Sequence, residues 1–439
     1  VVLMIFIYSP VKLPQYFLPF LLKNTFVFLI RKNLFLIHKK YLFLQKKLPR
    51  MLFHLILSVM PMFVCLFWVI LLLCDSDRNL PKKYLAFFLT LSAINYFVHA
   101  AFFNRQYDLF AFMDNIWVFT SLSSYPLYYY YIRLLTRDIR IDWRWSWILL
   151  PALALSFFSF IIYFAMSPEE LDLFIRGVMY HEQAYTGFYP QLVRLQVLRT
   201  TLFKAFFLIQ VVLSVWFGYR LIVRYNREVK EFYSNTGGKD LSSVKWLLFA
   251  FLFASVVSVV SSVVGKDFFI NKGYLIAFPA LTHSLFLFFI GYVGYRQNFT
   301  VANFNSDVKD YRKRKGKSTE RNQPALSDKI TRQQLLDLVK KNELYKNPDL
   351  RITDIALMAG TNRTYISRIV NEEMQTNFCD WVNGFRIEHV KEIMKNPEYD
   401  GLSMLQIAEM SGFSSLSAFY RVFKAKEKVT PGEYRGIVE

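Results

Sequence analysis

Residues 403–435 read SMLQIAEMSGFSSLSAFYRVFKAKEKVTPGEYR. Apolar side chains recur at three- and four-residue spacing on both sides of Gly412, which is the pattern of two short amphipathic helices joined by a tight turn. Ala408 beside Ile407 lets the second helix cross closely, Gly412 permits a left-handed turn, and Ser403 is placed to cap the first helix. The same grammar stands upstream. Ile355-Ala356 with Gly360 returns as Ile407-Ala408 with Gly412 at an offset of 52, and Tyr365–Val370 returns as Ala418–Phe423 at an offset of 53. The second turn is therefore one residue longer, and a helix over about 380–394 joins the copies. One such match recurs in ordinary helical hairpins. Two at near-constant offset point to paired helix-turn-helix units, whose second helices enter the major groove of DNA. Ile355, Ala356, Ile366, Ile369, Ile407, Phe419 and Phe423 are the expected core.

On these motifs region 327–437 resembles the C-terminal DNA-binding domain of AraC/XylS-type transcriptional regulators. Ile407-Ala408, Gly412-Phe413-Ser414, Phe419, Arg421-Val422-Phe423-Lys424, Thr430-Pro431 and Tyr434-Arg435 carry it in the second copy. Tyr365-Ile366-Ser367-Arg368, Asn377-Phe378 and Arg386-Ile387 carry it in the first. The resemblance covers about a quarter of the chain. It implies an all-α domain with two recognition helices in successive major grooves. It also implies Thr364, Ser367, Arg368, Ser417, Tyr420 and Arg421 as base readers, with Arg363, Ser415 and Lys424 toward phosphate. Each has a structural alternative: Arg368 and Arg421 as ion-pair partners, Ser415 and Ser417 as helix caps, Tyr420 as packing. The sequence departs from the family at four places. Gln375 and Lys428 replace the glycine after each recognition helix and so need a left-handed or altered cap. Arg351 stands where a capping hydroxyl is usual, and Val390 replaces a small residue.

Upstream the character changes. The whole chain is 54% apolar with a formal charge of +20, but 327–439 holds 16 basic and 16 acidic residues. DNA affinity must then come from the placement of charge, not its total. Seven apolar stretches, about 51–74, 84–104, 109–135, 145–166, 202–223, 244–264 and 274–295, reach the length of roughly 20 helical residues that spans a bilayer. Asp114 and the cluster Ser121–Ser124 weaken the third. Alternate loops at 75–83, 133–144 and 220–245 hold 13 Lys and Arg, more than the loops between them. By the positive-inside rule that face is cytoplasmic, as is the chain after Tyr295. Tyr128–Tyr131 with Trp143, Trp145 and Trp147 read as an interfacial belt. In the outer loop, Ser167-Pro168-Glu169-Glu170 predicts a helix from Pro168 to about Met179.

Residues 1–50 hold nine basic residues and no acid. They would place positive charge outside, so they are expected to be a doubtful leader, upstream sequence wrongly included in the chain, rather than an eighth span. Residues 309–317 form a basic run read as a solvated anchor, with lipid adsorption and DNA phosphate as alternatives. Ser318 to Ser327 is read as a flexible linker.

No phosphate loop, nucleophile elbow or His/Cys metal cluster is present, so an enzyme, a metal site and a cofactor are not expected. Asn95, His99, Asp114 and His283 stand inside apolar spans, where polar groups are costly. They are candidate ligand-sensing residues, with interhelical hydrogen bonding as the alternative. The reading is all-α: a doubtful leader over 1–50, a seven-span helical membrane domain over 51–295, a basic juxtamembrane linker over 296–326, and a cytoplasmic domain with two helix-turn-helix units over 327–439. The expected function is an inner-membrane one-component transcriptional regulator that binds double-stranded promoter DNA, with a homodimer and an unknown small-molecule or membrane signal as further partners. That signal would act through the juxtamembrane tether. The rival is a receptor or transporter whose cytoplasmic domain binds a protein.

Overall fold

The computed structural model describes residues 51–438 apart from 77–78, 183–184, 186, 265–267, 270–272 and 320–329. The expectations for 1–50 and for most of the flexible linker lie outside the described residues. Helix α1 is Met51–Cys74, α2 Leu80–Phe103 and α3 Tyr107–Thr136. A 3-10 turn, Trp143–Leu149, enters α4, Leu150–Ala165. Then come α5 Pro168–Asp172, α6 Gln191–Phe232, α7 Ser242–Val264 and α8 Ala277–Arg296.

Local chemistry sets these boundaries. α2 begins where the Asn79 side chain accepts the Lys82 N–H at 3.0 Å. The Ser167–Glu170 capping box starts α5, and a π turn extends it over Leu173–Met179, matching the expected outer helix. α6 was expected only over 202–223. With no proline between Pro190 and its end, it runs for 42 residues, about 63 Å at the α-helical rise.

Six helices are long and apolar enough to cross a membrane: Met51–Cys74, Leu80–Phe103, Trp143–Ala165, Gln191–Phe232, Ser242–Ser261 and Tyr274–Lys313. The expected third span, α3, is not among them. It packs against α2, α4 and α6 and buries Asp114, Thr120, Ser121 and Ser123. Its modest hydropathy therefore reflects a position inside the bundle. The other helices turn Phe63, Phe157, Phe164, Trp216 and Phe289 outward.

The basic run was expected to be a solvated anchor. It forms the second half of α9, Val301–Thr319, with Lys309, Arg312 and Lys313 exposed, while the first half buries Val301 and Phe304. Beyond it lie α10 Arg332–Lys341, α11 Ile352–Met358, α12 Arg363–Arg368 and α13 Phe378–Lys395. α14 Met404–Met410, α15 Leu416–Glu427 and α16 Pro431–Val438 complete the chain. The pair α11/α12 shares one continuous apolar core with the long helices, through Phe232, Tyr233 and Phe304 to Ile355, Ile366 and Phe378. The pair α14/α15 closes a separate core of Ile407, Phe413, Phe419 and Phe423 against Ile387 and Val390 of α13.

Candidate functional site

Each helix pair turns on a left-handed glycine, Gly360 at φ 63° and Gly412 at φ 84°. Gln375 and Lys428 take up the left-handed backbone expected of them, at φ 53° and 68°. All seven residues assigned to the core are fully buried. Asn362 caps α12 through the Tyr365 N–H at 2.8 Å, and a π turn, Ile369–Glu373, prolongs that helix. Ser403 and Ser415 cap α14 and α15. Capping by Ser415 is thus present, and Ser417 lies 3.2 Å from it.

Thr364, Arg368, Ser415, Ser417, Tyr420, Arg421 and Lys424 are exposed, and Ser367 is half-buried beside Asn371. Arg368 stacks on Tyr365 at 4.8 Å. Neither Arg368 nor Arg421 forms an ion pair among the described residues. Arg363, expected toward phosphate, is half-buried. Its guanidinium lies 5.0 Å from the ring centre of Phe232, the last residue of α6. Burial draws its pKa down, opposed by Glu231 and Glu228.

That contact belongs to a wider joint between α6 and the helix pairs. Ser234 donates its N–H to the Leu350 carbonyl at 3.0 Å, beside an isolated bridge between Tyr233 and Arg351. Arg386, fully buried, donates to the Ser234 carbonyl and hydroxyl, both at 3.0 Å, and to the carbonyls of Tyr345 at 2.8 Å and Asn347 at 2.9 Å. Burial draws Arg386 down to about 10, which leaves it protonated at neutral pH. Arg351, the residue that breaks the capping pattern, has its N–H accepted by Asp354 at 2.9 Å, while its guanidinium reaches Asp307 of α9 at 3.3 Å. Tyr233 donates to the same Asp307 at 2.5 Å.

Between the long helices lies a cavity of about 390 Å³. Three of the four sensing candidates, Asn95, His99 and His283, line it. Each also bonds a neighbouring helix. Asn95 donates to Thr120 at 3.0 Å and Ser121 at 2.5 Å, His99 accepts from Trp117 at 3.0 Å, and His283 bonds Ser258 at 2.8 Å. Asp114 does not line it. That carboxylate is fully buried against Arg199 of α6 at 2.5 Å and accepts from Tyr163 of α4 at 2.8 Å.

Residues 355–437 match the family model of the helix-turn-helix domain. The C-terminal region is an AraC-type helix-turn-helix domain. An uncharacterized HTH-type transcriptional regulator of Staphylococcus aureus strain COL is 32% identical over 94 residues, which is 21% of this chain and 12% of that protein. The regulatory protein PocR of Salmonella typhimurium is 30% identical over 93 residues, 21% of this chain and 30% of PocR. The chain thus spans only a minor part of these relatives, and no solved structure matches it. Sequence reading missed two features. One is the joint through Arg386, Arg351 and Ser234, whose only trace was the odd residue at the Arg351 cap. The other is Lys204, a cation inside an apolar run that also lines the cavity.

Proposed function

We propose that this chain is a membrane-embedded one-component transcriptional regulator. It spans the inner membrane seven times, with α3 as the interior span. It binds specific promoter DNA through two helix-turn-helix units, α11/α12 and α14/α15, in response to an extracytoplasmic or membrane signal. The outward phenylalanines and tryptophan support lipid contact, since a water-soluble surface seldom gathers so many. Arg368 and Arg421, exposed and without ion-pair partners among the described residues, support base reading by both units. The observation that carries the reading is α6, one unbroken rod that borders the cavity at one end and holds the helix-turn-helix domain at the other. A signal can shift the domain only if it binds two states of the bundle with different affinity. On this reading the shift travels along α6 more directly than along the α9 tether.

The test is selection of DNA from a randomised pool by the full-length chain in lipid nanodiscs. We expect a defined motif with salt-sensitive affinity. Arg368→Ala and Arg421→Ala should each relax preference at one position by about 1–3 kcal/mol while the fold is retained. Absence of any selected motif would refute the regulator reading and favour a cytoplasmic domain that binds protein.

A further inference from the structure

From the cavity and Lys204 on its wall, we infer that the bundle binds a small lipophilic anion: a single apolar body carrying one carboxylate. This deepens the sensing part of the proposed function and rests on it for orientation. The cavity is lined from α1, α2, α3, α6, α7 and α8. Its walls are mostly aromatic and aliphatic, with Tyr125, Phe207, Phe251 and Phe286 among them. Apolar walls with a few placed polar groups are what a small-molecule site requires.

The charge of the walls decides the ligand's sign. Among the described residues, Lys204 of α6 and two histidines line the cavity, and no Asp or Glu does. A cationic ligand would meet no carboxylate there among the described residues. An anionic one finds Lys204, which is exposed and makes no ion pair among the described residues. The other polar groups already bond one another across helices, as described for Asn95, His99 and His283. The buried acid nearest in the sequence pattern, Asp114, is taken by Arg199 and does not neutralise Lys204. An unpaired cation in an apolar span is costly, and a ligand carboxylate would relieve that cost.

Size narrows the class. At about 30 Å³ per heavy atom, the volume a water molecule occupies in the liquid, 390 Å³ holds about thirteen non-hydrogen atoms. A medium-chain fatty acid such as decanoate, or an aromatic acid of like size, fits.

The experiment uses full-length protein in phosphatidylcholine nanodiscs and decanoate bearing a terminal diazirine as photoprobe. We expect saturable labelling of peptides containing Tyr125, Phe207 or Phe251, competed by decanoate and about tenfold less well by decanol or decylamine. Lys204→Gln should weaken labelling by about the same factor and Lys204→Arg should restore it. Ala254→Phe should remove labelling by filling the cavity. Labelling that does not saturate overturns the proposal, as does equal competition by acid, alcohol and amine, or a Lys204→Gln protein that labels like the parent. In that last case Lys204 merely reaches toward headgroups. DNA selection on the same nanodiscs keeps the two readings apart. Saturable labelling without a DNA motif supports the site and sinks the regulator; a motif without labelling does the reverse.

Discussion

Gly412 and Gly360 occupy equivalent turns, yet their surroundings differ. A side-chain carbon on Gly412 would stand 2.4 Å from the Tyr345 carbonyl oxygen and 2.7 Å from that of Lys346. One on Gly360 would meet nothing within 4 Å. Both backbones are left-handed, so Gly360→Ala should cost about 1–2 kcal/mol from conformation alone. Gly412→Ala should cost more, because backbone must move to admit the methyl group. Urea unfolding of the two variants measures the difference, and equal losses would contradict it. The turns were readable from sequence because a left-handed bend leaves a local mark, a glycine at fixed distance from Ile-Ala. The two non-glycine caps, Gln375 and Lys428, carry no such mark and were readable only because the family resemblance implies a glycine there.

Among the helices, α3 and α6 are joined by an ion pair with no exposure at either partner, Asp114 and Arg199. Its energetics should follow the rule for buried charges: removing one partner strands the other. Asp114→Asn and Arg199→Met should each lower stability by about 3–5 kcal/mol, and the double variant should cost less than the two losses added together. A double-mutant cycle in detergent, read by thermal unfolding, checks this, and simple additivity would count against it. The helices themselves were legible, since twenty apolar residues announce themselves. The pairing was not: the partners are 85 residues apart, and no periodicity links positions on different helices. The ends of α6 were hidden for a related reason. They are polar, and only the absence of a helix breaker between Pro190 and Phe232 keeps the rod continuous.

At the scale of the molecule, the first helix pair is built into the core of the helical bundle while the second has a core of its own. Arg351→Ala should loosen the first without unfolding the second. The Arg351–Asp307 contact is partly exposed, with side chains 31% and 22% accessible, so the loss should be about 1 kcal/mol or less. Hydrogen exchange of the full chain should quicken at Tyr233–Ser234 and Leu350–Ile352 and stay unchanged over Ile407–Phe423. Uniform quickening would mean that the domain moves as one block. The sequence marked a domain start near 327 because hydropathy falls there. Composition records where a chain leaves an apolar environment; it does not record which surfaces meet again later.

The Arg386–Ser234 joint has a practical consequence for anyone who cuts or grafts this protein. Severing the chain at 326 would separate Arg386 from two of its five acceptors, and Ile355 and Ile366 from the aromatic cover of Phe232 and Tyr233. The natural seam therefore does not follow chain order. A portable reading head would have to carry residues 232–236 along with 330–438, spliced across the bundle, and a chimera with another regulator's head would need a serine carbonyl presented where this one stands.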